Sequence, residues 1–341
     1  MKYNAFLFLF CAALLAGLLP VQAQNKEESV DTFLALSLPL ECRLGKTCWI
    51  MNYPDDDAAS GAVKDAACGK RSYDGHKGTD FAIRDTKLMD KGVAVLSVAD
   101  GTVFRLRNGQ EDTFKSDAEM TAIHDANLDC GNGVIIDNGD GWLTQYCHLK
   151  KNSLKVKEGD KVRRGQKIAE VGMSGITQHP HVHLTLIHKG EIIDPFTGAP
   201  TQNGCRPDMS GSLWADKTIT YEPFVLYDMG FAETPPDFEG IAMGNRGEIP
   251  KTHSPAFLVW FAYFGPEKGD RITVEVTAPS GQDGSFKEEM VQDLDRARQF
   301  YYVGRAAPSG GFARGTWKAT VTISRDGLKD PVTLTRAVDV L

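Results

Sequence analysis

Gly172-Met-Ser-Gly-Ile-Thr-Gln-His179-Pro-His181-Val-His183-Leu-Thr-Leu-Ile-His188 decides how this chain is read. The run from Leu184 to Ile187 is β-prone, and successive side chains of a strand point to opposite faces. His181 and His183 therefore share a face, while Val182 turns into a core. Two imidazoles on one face of a rigid strand can serve one centre, one binding a metal and the other working beside it. Such a pair needs further ligands from elsewhere in the chain.

Short strands and turns surround this stretch from His76 to Pro195. The pattern predicts strands at 79–83, 94–98, 101–107, 133–137, 142–148, 167–171 and 181–187. Asn138-Gly139-Asp140-Gly141 between two of them is a hairpin signal. Residues 108–129 are polar and acidic and read as a surface insertion. The fold class is mainly β, with 76–204 an antiparallel β domain. Residues 205–250 contain Pro235-Pro236 and little periodicity, and read as a connector. From 251 to 341, predicted strands at 256–264, 271–278, 300–303, 315–324 and 333–340 make a smaller, immunoglobulin-like β-sandwich the expectation. Trp260, Phe261, Tyr263 and Phe264 belong to its core on this reading, because alternate positions of a strand must be buried.

The chain has 341 residues, which suggests two domains. Lys2 followed by an apolar run from Ala5 to Leu19 and by Val21-Gln22-Ala23 reads as a secretory leader spanning 1–23. Its run is too short for a comfortable membrane span, and no second apolar segment is long enough. Stable membrane insertion is not expected. Loss of Lys2 from the 38 basic residues leaves 37 against 45 acidic ones, a net charge of −8. Such a chain is not steered towards nucleic acid or anionic membranes. Beyond the leader lie Cys42, Cys48, Cys68, Cys130, Cys147 and Cys205. An even count in an exported chain reads as disulfides, and the absence of any C-x-x-C pair disfavours a thiolate metal site. Cys42 and Cys48 bracket a turn-like run, Cys130 and Cys147 flank the predicted hairpin, and Cys68 with Cys205 follows by elimination. The segment 24–75 reads as a cysteine-bearing extension packed on the domain that follows.

Tyr73-Asp-Gly-His76-Lys-Gly78-Thr-Asp80 supplies the missing ligands. In an extended chain His76, Gly78 and Asp80 lie on one face, and Gly78 leaves room for an ion between the other two. His76 and Asp80 with one imidazole of the H-x-H pair make the three-ligand set of a catalytic zinc site, with a fourth position open. His148, at the end of the second hairpin strand, is suited to act as a general base or as a donor to an oxyanion.

The order of these blocks resembles the lysostaphin/LytM-type zinc endopeptidases. H-x-G-x-D is followed by a hairpin ending Tyr146-Cys-His148-Leu149, then by the Val156–Gly172 block of spaced valines and glycines, then by P-H-x-H. The likeness runs from about Tyr73 to Asp194-Pro195. It implies one Zn²⁺ per chain held by His76, Asp80 and His183, a catalytic pair His148 and His181, and peptidoglycan peptides as substrate. Hydrolysis by a metal-activated water and a periplasmic or extracellular location follow from the same resemblance. Ile176-Thr177-Gln178-His179 departs from the small residues usual before P-H-x-H, and the insertion and cysteines are additions. They put substrate choice in doubt more than the chemistry. The cysteine-bearing stretches and β-rich tail are similar to a subgroup associated with Gram-negative bacteria. Two rivals stand beside this reading. One is a silent wall-binding regulator of another murein hydrolase, disfavoured by the five intact residues. The other is a biotinyl/lipoyl-like carrier suggested by the Val156–Ala169 turn chemistry, disfavoured by the lack of an acceptor lysine at a hairpin tip. Oligomeric state is not legible.

Overall fold

The structure is a computed structural model and describes residues 34–341; the leader expected at 1–23 lies outside the described residues. The first part of the fold carries β1 (Cys48–Asn52), β2 (Thr79–Ile83), α1 (Thr86–Lys91), β3 (Ala94–Leu96), β4 (Gly101–Arg107) and α2 (Asp117–Asp125). It continues with β5 (Asn132–Gly139), β6 (Trp142–Leu149), β7 (Lys161–Val162), β8 (Lys167–Glu170), β9 (His181–His188), β10 (Glu191–Asp194) and β11 (Ala199–Pro200). The second part carries β12 (Val225–Ala232), α3 (Phe238–Ala242), β13 (Ala256–Phe264) and β14 (Arg271–Thr277). It ends with β15 (Phe286–Val291), β16 (Arg298–Ala306), β17 (Gly315–Ser324) and β18 (Val332–Val340).

One antiparallel sheet organises the first part in the order β1-β2-β9-β6-β5-β4-β7, with β10 and β11 continuing from β9. The H-x-H strand β9 is thus central, between β2 and β6. Val182, Leu184 and Leu186 face inward and are fully buried, as period-2 alternation demands. They pack with Phe81, Tyr146 and Val134 in one core. Tyr146 is buried with its hydroxyl satisfied, accepting from the backbone N–H of Val98 at 2.8 Å. The stretch before the main domain is more regular than its sequence suggested. Cys48–Asn52 is an edge strand paired with β2, and Leu36, Leu40, Ile50 and Tyr53 join the same core. The insertion 108–129 also holds structure, since α2 begins with a capping box between Ser116 and Glu119.

The second part is a sandwich. A three-stranded sheet, β12-β13-β16, packs on a four-stranded one, β15-β14-β17-β18, through Phe257, Val259, Phe261 and Tyr263 on one side and Val274, Trp317 and Val321 on the other. All four aromatic residues singled out in β13 are buried, but on two faces. Phe261 and Tyr263 fill the sandwich. Phe264 packs with Trp49, Ala82 and Tyr227 against the first part, and Trp260 with Ile241 of α3. Burying one such aromatic contributes about 1.5–3 kcal/mol, so the two parts are joined by a hydrophobic seam. The expected connector 205–250 is corrected here, because Val225–Ala232 pairs along its length with β13. Seven of the eight residues of this strand are buried, so it lacks the alternation by which a half-exposed strand is recognised.

All three disulfides are formed: Cys42–Cys48, Cys68–Cys205 and Cys130–Cys147. Asp194, at the end of β10, is a buried carboxyl. Its Oδ1 accepts from the N–H of Phe196 at 2.6 Å, and its Oδ2 has no partner. Burial pushes it up from 3.8 to about 7. A carboxyl with a folded pKa above its unfolded value binds more protons when folded, so its contribution is fully present below about pH 4 and is lost as pH rises through about 7. Asp194→Asn is therefore expected to lose less stability than the unaltered chain between pH 5 and pH 8 in urea unfolding. Equal losses in the two chains would refute this account of Asp194.

Candidate metal and catalytic site

The five residues expected to form a site do meet. Asp80 on β2 stands directly opposite His183 on β9, and Ala82 opposite His181. Side chains directly opposite across a strand pair share a face, which places the Asp80 carboxylate beside both imidazoles. His183 Nδ1 lies 2.8 Å from Asp80 Oδ1. His76 comes from the turn before β2, with its Nε2 3.2 Å from Asp80 Oδ1 and 3.1 Å from His183 Nδ1. These three residues form a group able to hold a metal ion.

The outer atoms of the site fix which nitrogens face inward. The Nδ1–H of His76 donates to Tyr53 O at 2.7 Å, leaving Nε2 bare. In the tautomer with its proton on Nε2, His183 donates to Thr185 Oγ1 at 2.9 Å and leaves Nδ1 bare. Asn52 Nδ2 donates to Asp80 Oδ2 at 2.9 Å, which turns Oδ1 towards the imidazoles. Three lone pairs then converge within 3.2 Å of one another. Such an arrangement is repulsive without a cation among them. A tetrahedral ion with bonds of ~2.0–2.1 Å separates its ligand atoms by roughly 3.3 Å, so the donor set fits zinc in spacing as well as in chemistry. Partners of this outer kind orient ligands and raise their basicity.

The other two histidines stand beside this group. His148 Nδ1–H donates to Ser174 O at 2.8 Å, and His181 Nδ1–H to His179 O at 2.8 Å. Both rings therefore keep Nε2 for the cleft. Their centroids are 4.6 Å apart, and His181 Nε2 is 3.5 Å from Asp80 Oδ1. His148 has φ +59°, the left-handed region that a β-carbon disfavours. Its N–H donates to Cys130 O at 2.8 Å, its carbonyl accepts from Gly172 at 3.0 Å, and the adjacent Cys130–Cys147 disulfide ties the same two segments. A strained residue held by this many constraints is a frequent mark of a working site.

Charge follows from the packing. Burial alone raises the Asp80 carboxyl, but His76 and His181 around it hold it well below the ordinary range. Burial, with His181 and His183 nearby, pushes His148 well below the usual imidazole value. Burial also lowers His183, although Asp80 opposes it. For His181 burial acts downward and the Asp80 carboxylate outweighs it, so the net shift is up.

Gly78 has a reason other than the one its spacing suggested. A β-carbon there meets Leu184 O at 2.5 Å and His183 Nε2 at 2.7 Å, so the glycine admits the His183 ring rather than an ion. Thr185 was findable, because it shares the His183 face two residues on. Asn52 and His179 were not. His179, in the loop before β9, is buried; its Nε2–H donates to Ile83 O at 2.8 Å and its Nδ1 accepts from Arg298. His188 stacks on Trp142 at 4.1 Å, and His124 is exposed against Asp129.

Residues 74–195 match the model of Peptidase family M23. The chain is 34% identical over 119 residues to the peptidoglycan DD-endopeptidase ShyA of Vibrio cholerae, covering 35% of this chain and 22% of the relative. It is 30% identical over 129 residues to the murein hydrolase activator NlpD of Escherichia coli, covering 38% of this chain and 27% of that one. The chain thus matches only about a quarter or less of these relatives' length. Among solved structures, a zinc containing peptidase from Vibrio cholerae aligns over 42% of this chain and 37% of that one, at 27% identity and TM-score 0.27. The segment 74–195 is thus similar to a peptidase family M23 domain, of the LytM type that its motifs resemble.

Proposed function

We propose that this chain is a zinc-dependent endopeptidase that cuts peptide bonds in peptidoglycan cross-links. His76, Asp80 and His183 hold one zinc ion, and His148 and His181 are the catalytic pair. The observation that carries this reading is the convergence of three bare lone pairs, with the Nε2 atoms of His148 and His181 turned to the cleft beside them. When bound, zinc acidifies water and polarises a carbonyl. His148, kept neutral by burial and its neighbours, accepts the proton of the attacking water. His181, whose protonated form Asp80 favours, donates to the developing oxyanion and then to the leaving amine. Activity falls in acid, where His148 and the ligand imidazoles take up protons. Three disulfides fit an oxidising compartment, and the periplasm is where such a substrate lies. Among the described residues no helix is long and apolar enough to cross a membrane.

The test is to measure zinc in the purified chain and incubate it with sacculi and with cross-linked muropeptides. One zinc per chain and new peptide termini by mass spectrometry are expected. Bound zinc with no new termini would sink the reading. Release only in the presence of another murein hydrolase would point instead to an activator, the role named for NlpD.

A further inference from the structure

The cleft above Asp80, His148 and His181, about 600 Å³ in volume, has one wall that comes from the second part of the fold. That wall is Phe238 of α3 and residues Arg296 to Arg298 at the start of β16. A second hollow shares Gln178, Phe238 and Arg298 with the first and runs on to Lys115 of the insertion. The sandwich and the insertion therefore extend the floor that the five-residue site begins.

Arg298 is the unusual member of this wall. Its guanidinium lies 4.2 Å from the Phe238 ring, donates to His179 Nδ1, and reaches Gln178 O at 3.5 Å. Tyr227 supplies one more neutral contact, and burial disfavours the charge. Among the described residues no carboxylate is paired with it. Two other half-buried arginines are compensated by carboxylates. Arg246 pairs with Asp85 and Asp228, and Arg325 with Glu267 and Asp270; the fully buried Arg71 meets three backbone carbonyls, with its Nε left without a partner. Arg298 is half-buried; partly removing a cation from water without an anion is costly, and the cost is recovered when a ligand brings the anion. A guanidinium is suited to a carboxylate, which it binds through two parallel N–H groups. Arg296, two residues away and exposed, adds a second positive charge to the same lip.

The position ties this charge to the chemistry. Arg298 touches His179, whose carbonyl accepts from His181 Nδ1. Arg298 and His181 line the same cleft, so a group bound at Arg298 shares the cleft with the proton donor. We propose that Arg298, with Arg296 beside it, is a carboxylate-binding subsite by which the sandwich domain selects peptides carrying a free carboxylate near the cleaved bond. This rests on the endopeptidase reading above and adds a substrate class to it.

The experiment compares a cross-linked muropeptide with the same compound after its side-chain carboxylates are converted to primary amides. Cleavage is measured for the full chain and for its Arg298→Gln and Arg296→Gln variants. A charge-assisted contact predicts a preference of roughly 10–100-fold in kcat/KM for the acidic peptide, expressed in KM rather than kcat. Arg298→Gln should lose far more on the acidic peptide than on the amidated one. Arg296→Gln, at an exposed position where folding is not at risk, should shrink the preference in the same direction. Binding of both peptides to the zinc-loaded His148→Ala chain is read by calorimetry, so a chain that cleaves neither still reports on the subsite. Cleavage of neither peptide by the full chain would count against the endopeptidase reading alone. Equal cleavage and equal binding of the two peptides, or a preference that survives both substitutions, would overturn the subsite.

Discussion

Replacing His148 by alanine is expected to lower kcat on a cross-linked muropeptide by roughly 10²–10⁴, while the chain still binds one equivalent of zinc. The two halves of this result have separate causes. His148 is not among the three residues whose atoms converge on the ion, and its Nδ1 is committed to Ser174 O. What it loses is Nε2, the only one of its nitrogens left to take a proton. His183→Ala and Asp80→Ala remove members of the converging group instead, so those variants should lose the metal itself. Alanine is less favoured than histidine at φ +59°, and a small added backbone strain could be mistaken for a catalytic effect. Asparagine tolerates that conformation better, so His148→Asn separates the two. If His148→Asn keeps its zinc and turns over within tenfold of the unaltered chain, His148 is not the base. His181→Ala should be similarly slow, and the double variant scarcely slower, since the two act on one proton path.

The parts of this fold that were legible share a simple property. β4, β6 and β9 each have one face in the core and a more exposed one, and alternation marks such strands directly. The histidine pair was readable for the same reason, since a period of 2 puts His181 and His183 together whatever else the chain does. β12 escaped because both its faces are covered. β15 escaped for the opposite reason, being an edge strand whose Lys287, Glu288 and Glu289 read as loop. Contacts that depend on distant segments left no local trace. Nothing around Asn52 announces Asp80, 28 residues on, and nothing around His179 announces Arg298, 119 residues on. The ligands were visible because strand geometry fixes them locally, whereas the wall beside them is a product of tertiary packing.

Gly78→Ala is expected to weaken zinc binding by about 10–100-fold, the scale seen when the support of a metal ligand is disturbed. The added carbon falls 2.5 Å from Leu184 O and 2.7 and 2.8 Å from two atoms of the His183 ring. Neither neighbour yields cheaply. Leu184 O belongs to a central strand, held between β2 and β6 on either side. A shift of β2 would move Asp80, which sits opposite His183 in the same ladder. Rotation of the His183 ring is the softer response, but it breaks the 2.9 Å bond to Thr185 and carries Nδ1 away from Asp80. Overpacking of this kind also costs about 1–3 kcal/mol of stability, so both effects should appear together. Gly75→Ala is the matched control in the same loop. Gly75 has φ +73° and no atom within 4 Å of its would-be β-carbon, so alanine there strains the backbone without touching a ligand. Competition with a chelator should find zinc affinity lowered in Gly78→Ala and nearly unchanged in Gly75→Ala, although both unfold more readily than the unaltered chain. Equal affinities in all three would mean that His183 does not hold the ion through the nitrogen assigned to it.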